Sequence, residues 1–187
     1  MDKKVISILM IDDHPSMIEG YKSILVFNDL DAEIEVESAY NCESAYYCIT
    51  ENNNKKYFDF VFIDLSLPPC EEQNIYSGKE LAHLVKLYMP SSKIVILTSH
   101  AESFLLYEIH KYINPIGILV KSDFTADELL LAFSKMSKNE SYRSKTVQQS
   151  IKDFLSTNFV LDELNRQIIV LLSQGVKTKN LPNHINL

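Results

Sequence analysis

The chain of 187 residues contains no apolar run near the roughly 18 uncharged residues that a membrane-crossing helix needs, which argues against a membrane span. Its N-terminal stretch does not read as a secretory signal. "MDKKVISILMIDD" is basic and then apolar, but the apolar part is short and runs straight into acids, so it reads as a first strand. The three cysteines, Cys42, Cys48 and Cys70, form no CxxC pair and leave an odd count. That pattern fits a reduced, cytoplasmic protein whose thiols are ordinary buried or surface groups. No internal repeat or low-complexity tract occurs.

What is present is ample apolar material, 46% of residues, and an uneven charge. Residues 1–138 carry 12 Lys and Arg against 21 Asp and Glu, a net of −9; residues 139–187 carry 6 against 4, a net of +2. An acidic body disfavours nucleic-acid binding by that body and leaves it open for the tail.

Four runs, "VISILMI", "FDFVFIDL", "KIVILTS" and "IGILVK", are short, rich in Val, Ile and Phe, and without strict polar alternation. Strands buried on both faces of a parallel sheet look like this. A fifth, "AEIEVESAY", alternates acids with apolar residues and suits a position nearer the sheet edge. Helix-like segments separate them: "PSMIEGYKSILVFN", "CESAYYCITENN", "SGKELAHLVKLYM", "ESFLLYEIHKYI" and "TADELLLAFSKMSKN". The alternation predicts an α/β domain with a doubly wound, five-stranded parallel sheet over residues 1–138. Residues 139–157 are polar and aperiodic and read as a linker or loosely helical connector. Residues 158–187 read as a small all-α segment, a helix with Asp162 as N-cap and Gly175 as its stop, followed by a shorter helix.

In open α/β sheets, ligands bind outside the carboxyl ends of the strands. Asp12 and Asp13 follow the first strand, Asp64 closes the third, Thr98 and Ser99 close the fourth, and Lys121 closes the fifth. Adjacent acids admit three readings: a solvated turn, a metal site, or half of a carboxylate pair. Three carboxylates form a hard-oxygen site suited to Mg2+. A carboxylate can also attack phosphorus to give an aspartyl phosphate, with a lysine and a hydroxyl binding the phosphoryl oxygens.

The motifs "IDDHP", "FIDLSLP", "ILTSH" and "GILVK" resemble the receiver domain of two-component response regulators, over about residues 5–136. The resemblance implies a flavodoxin-like or CheY-like fold with Asp64 as phosphoacceptor. It implies Asp13 as a direct Mg2+ ligand, Asp12 as a ligand through water, and the Ser66 main-chain carbonyl as a further ligand. Thr98 would contact the phosphoryl group and Lys121 would pair with it. Such a domain catalyses only its own phosphorylation and slow dephosphorylation, and is otherwise not an enzyme. A haloacid dehalogenase-type phosphatase would place an acid where Ser66 stands.

The chain departs from the family pattern in several places. "PCEEQNIYS" is inserted between Pro68 and Gly78, as a surface extension or a modifier of donor access. Ile118 occupies the place of an aromatic switch residue, leaving Thr98 as the switch. "INPIG" replaces a small-residue turn. Ser66 and His100 hold two positions that tune phosphate lifetime in the family. His14, beside two acids, has the choice of ligand, base or loop residue, and the resemblance favours the loop.

"VLDELNRQIIVLLSQGVKTKNLPNHINL" resembles the first two helices of a LuxR/NarL-type helix-turn-helix, with Leu161, Ile168, Leu171 and Leu172 on one face. The plainer alternative is a helical hairpin packed on the receiver. Pro182 sits inside the second helix, where it costs about 3 kcal/mol unless in the first turn, and Asn165 replaces an acid. The sequence ends at Leu187, where a recognition helix would begin, so the expectation is an excerpt of a longer regulator. The implied partners are a sensor histidine kinase, DNA through the complete C-terminal domain, and a second copy on phosphorylation. A protein–protein signalling module without DNA output is the alternative.

Overall fold

The computed structural model describes residues 3–51 and 57–173. Strands and helices alternate as β1 (Lys4–Ile11), α1 (Pro15–Leu25), β2 (Ala32–Ala39), α2 (Cys42–Thr50), β3 (Phe60–Asp64), α3 (Gly78–Tyr88), β4 (Lys93–Thr98), α4 (Ser103–Glu108), β5 (Gly117–Val120), α5 (Ala126–Ser137), β6 (Tyr142–Arg143) and α6 (Lys145–Ser173). A π-helical turn, Ile109–Ile113, continues α4 and ends at Asn114, which takes a left-handed backbone at φ 49°.

The sheet is parallel throughout, in the order β2-β1-β3-β4-β5-β6. It has six strands, not the five expected. β6 is two residues long and lies in the polar run assigned to a connector. Its backbone is held by Tyr142 N donating to the Ile116 carbonyl (2.8 Å) and Ser144 N donating to the Ile118 carbonyl (3.0 Å). The Arg143 guanidinium adds bonds to the Pro115, Ile116 and Tyr142 carbonyls. Two residues cannot display a period of two, so the sequence carries no signal for this strand.

The pleat divides the core. Leu9, Ile11, Val61, Ile63, Ile96, Ile118 and Val120 face one layer, which holds α2, α3 and α4; Val147 of α6 joins it. Ile8, Met10, Phe60, Phe62, Val95, Leu97 and Leu119 face the other, with α1 and α5. Neighbouring residues of one strand therefore serve opposite layers, which is why these strands read as unbroken apolar runs. The acidic strand β2 is at the edge, where Glu33 and Glu35 are exposed and only Ala32 and Ala39, at its two ends, are buried.

Two further expectations change. Residues 145–173 are one continuous helix, so position 162 falls within it and not at its start. The expected second helix, with Gly175 and Pro182, falls outside the described residues. The insertion after Pro68 is ordered. Cys70 and Ile75 pair as an antiparallel bridge around a 3-10 turn, Glu71–Gln73. Ile75 is 1% exposed and belongs to the core beneath β3 and α3. All three cysteines are free thiols.

Anchoring by Ile75 makes the insertion part of the fold. Ile75→Ala should lower unfolding free energy by about 2–4 kcal/mol, read from urea denaturation. Tyr76→Ala, at the exposed neighbouring position, should change it by no more than about 0.5 kcal/mol.

Candidate functional site

The strand order reverses between β1 and β3, since β1 lies between β2 and β3 and the chain then builds outward through β4 and β5. Loops leaving adjacent strands at this point diverge and open a crevice. Asp12 and Asp13 stand directly after β1, Asp64 ends β3, Thr98 ends β4 and Lys121 follows β5. Parallel register thus brings side chains from four separate segments to one edge.

Asp12 and Asp64 are each 1% exposed, and one ligand atom from each of Asp12, Asp13, His14 and Asp64 lies within 4.8 Å of the others. At that separation two carboxylates repel by about 3 kcal/mol at an effective dielectric of 20. Lys121 offsets part of this. Its Nζ donates to Asp12 Oδ2 at 2.7 Å and to Asp64 Oδ2 at 2.8 Å. Partial burial would lower the Lys121 pKa, but the bonds to the two carboxylates, with their charges, outweigh it and raise it. Asp64 Oδ1 accepts from Ser66 N at 3.1 Å, and Asp12 Oδ1 from His14 N at 2.9 Å. The His14 ring is largely exposed and turns Nδ1 toward Asp13 Oδ1 at 2.9 Å and Asp12 Oδ1 at 3.3 Å.

Three acids against one lysine leave two negative charges in excess. A divalent cation fits that balance, and an all-carboxylate donor set suits a hard ion that keeps some of its water. Ser66 is exposed, and the contact it makes here is through its amide. Thr98 is fully buried, and its hydroxyl accepts from His100 N at 2.9 Å. Lys121 N donates to the Thr98 carbonyl at 2.7 Å, linking the two residues through the main chain. His100 is exposed and meets Thr98 through its backbone. Ile118 is an aliphatic core residue on β5 with no exposure.

Two neighbours escaped the sequence reading. Tyr21 of α1 is buried below the acids; burial first, then the charges of Asp12 and Asp64, push its phenol well above its usual pKa. Its spacing with Ile18 and Leu25 places it on the inward face of α1, and that was the available signal. Gly78, the first residue of α3, lies so close to β3 that an added Cβ would collide with the Asp64 carbonyl oxygen.

The response regulator receiver domain matches residues 8–134. The chain belongs to that family. No curated relative matches it significantly. Among solved structures, the receiver resembles the response regulator RcsB of Salmonella typhimurium at 20% identity and a TM-score of 0.65, covering 81% of this chain and 68% of that one. Another RcsB structure matches at 17% identity and a TM-score of 0.74, covering 97% and 83%. A LuxR-family two-component response regulator from Aurantimonas sp. SI85-9A1 matches at 24% identity and a TM-score of 0.64, covering 82% and 99%. At these identities the likeness is one of fold.

Two substitutions probe the receiver's site. Because the Lys121 pKa is raised on folding, its ion pairs contribute fully below the ordinary lysine value and are lost as pH rises through the raised one. Lys121→Met should cost about 3 kcal/mol near neutral pH and flatten the alkaline fall in melting temperature. Gly78→Ala should cost roughly 1–3 kcal/mol in urea denaturation, because the opposing atom is main chain and cannot rotate away.

Proposed function

We propose that this receiver is the phosphorylation-controlled switch of a response regulator, accepting a phosphoryl group on Asp64 from a cytoplasmic sensor histidine kinase with Mg2+ as cofactor. The observation that carries the reading is the cluster of three carboxylates, of which the buried pair Asp12 and Asp64 is bridged by Lys121. Asp13, Asp64, the Ser66 carbonyl and, through water, Asp12 would hold the ion. When bound, it would supply positive charge against the phosphoryl oxygens.

The residues divide the work as follows. The Asp64 carboxylate attacks phosphorus, the bond from phosphorus to the donor breaks, and an acyl phosphate forms. Lys121, already held at Asp64 by its short ion pair, moves its ammonium from the carboxylate to a phosphoryl oxygen. The Thr98 hydroxyl turns from the His100 amide to a second oxygen. Ser66 and His100 flank the product and would tune its lifetime. Ile118 leaves β5 without a swinging aromatic, so Thr98 carries the switch. The chain transfers the group to itself and slowly releases it, without turnover of a separate substrate.

For output we favour transcriptional regulation through a LuxR-type DNA-binding C-terminal domain, with dimerisation on phosphorylation. The likeness to RcsB supports this, one of whose structures has two RcsB dimers bound to two parallel DNAs. A second reading, a protein–protein signalling module, is supported by the unbroken α6, which does not start a new helix at Asp162. No helix among the described residues is long and apolar enough to cross a membrane.

Incubation with acetyl phosphate and Mg2+ should add one phosphoryl group to the intact mass, and Asp64→Asn should abolish the adduct. An adduct that persists in Asp64→Asn would sink the assignment. Multiple turnover of a phosphate ester that depends on Asp64 would point to a phosphatase instead.

A further inference from the structure

The edge of the sheet opposite Asp64 carries a second concave surface. A groove of about 320 Å³ lies where the end of α3, the first residues of β4 and the turn into β5 meet. Pro90, Ile94, Ile113 and Ile116 give it an apolar lining, and its charged residues are Lys86 and Lys93. Two cations with no acid among the described residues of the groove are an exception on a body that sums to −9 over residues 1–138. Both ammonium groups bond neutral acceptors. Lys86 Nζ donates to the Tyr112 carbonyl at 3.2 Å, and Lys93 Nζ to the Met136 and Ser137 carbonyls at 3.1 and 3.2 Å. Among the described residues neither lysine forms an ion pair, and an ammonium has three N–H groups, so each keeps a donor to spare. Burial, and then the charge of Lys4, lower the Lys93 pKa; Asp59 opposes this only in part. The hydroxyl of Ser137, whose carbonyl Lys93 holds, is buried without a hydrogen-bond partner among the described residues.

The backbone of this groove is unusual as well. The π-helical turn Ile109–Ile113 ends on its wall, Asn114 takes the left-handed conformation there, and "INPIG" then enters β5. π-helical turns are frequent at functional sites, and this one stands at the groove and not beside Asp64. Arg143 holds the segment in place, its guanidinium donating to the Pro115 and Ile116 carbonyls at 2.8 and 3.0 Å. We propose that the groove is a binding site for a small organic carboxylate with an apolar body, the carboxylate held by Lys86 and Lys93 and the body resting on Pro90, Ile94 and Ile116. The volume is at the lower end of the range for ligand pockets, which limits the occupant to a small molecule. Lysines act as point charges and fix the sign of the head group. The apolar lining adds affinity only for a ligand that has an apolar body to bury. The site lies at the other edge of the sheet from the acids and does not depend on the phosphoacceptor reading.

The test uses the full chain with labelled isoleucine methyl groups, titrated with phenylacetate and with hexanoate and read by NMR. The methyl signals of Ile94, Ile113 and Ile116 should shift saturably with at least one of them, with a dissociation constant of about 1 mM or tighter. Phenylacetamide, which keeps the ring without the charge, and acetate, which keeps the charge without the body, should each bind about tenfold more weakly. Lys86→Gln and Ser141→Glu, the latter placing an acid at an exposed position of the groove, should each weaken binding by about tenfold. Lys152→Gln, exposed on α6, should leave it unchanged. Unshifted methyl signals elsewhere in the spectrum show that each variant is folded. No saturable shift with either carboxylate up to about 10 mM would overturn the proposal. Equal binding of phenylacetamide, equal binding of acetate (an adventitious anion only), or an affinity unaltered in both groove variants would do the same.

Discussion

The structure turns on one ammonium group held between two buried carboxylates. Asp12 and Asp64 come from adjacent strands, and each is almost fully removed from water. Unpaired, they would repel by an amount comparable to a sizeable part of a domain's net stability. Lys121, arriving from β5 on the far side of β4, holds both at once. The arrangement balances two of three negative charges only in part, and leaves the half-buried Asp13 beside His14. A site built this way is short of positive charge, which is the electrostatic condition for holding a dication.

The sheet makes that meeting possible. Its parallel register ends β1, β3, β4 and β5 at one edge, and the reversal of strand order between β1 and β3 opens the crevice there. Packing then fixes the edge from both sides. Tyr21 and the α1 face close it below, and α3 presses its first residue, Gly78, against the Asp64 carbonyl. The inserted segment before Gly78 reaches this contact by folding over its own bridge and burying Ile75, so its length does not loosen the site.

The same economy applies at the opposite side of the sheet. β6 and α6 extend the receiver past its fifth strand, and the polar side chains Asp123, Ser144, Thr146 and Ser150 connect this extension to the loops around Lys121 and Thr98.

The sequence by itself determined β1–β5, α1–α5 and the sheet edge to which the acids, Thr98 and Lys121 come. Runs such as "VISILMI" are apolar at every position because alternate residues, Ile8 and Leu9 for instance, enter different core layers. Acids, a threonine and a lysine closing such runs must then share an edge. Other features belonged to the tertiary structure. Tyr142 and Arg143 pair with β5 only because α5 returns the chain there; nothing local marks them as a strand. Asp162 has the chemistry of an N-cap, yet the helix begins at Lys145, where Asp123 supplies a cap from another loop. Ile75 looked like one apolar residue in a polar insertion until the cavity it fills was formed. Local pattern fixes what each segment is. Which segments meet is decided by burial and by hydrogen bonds between residues far apart in the chain, and no short stretch of sequence encodes those.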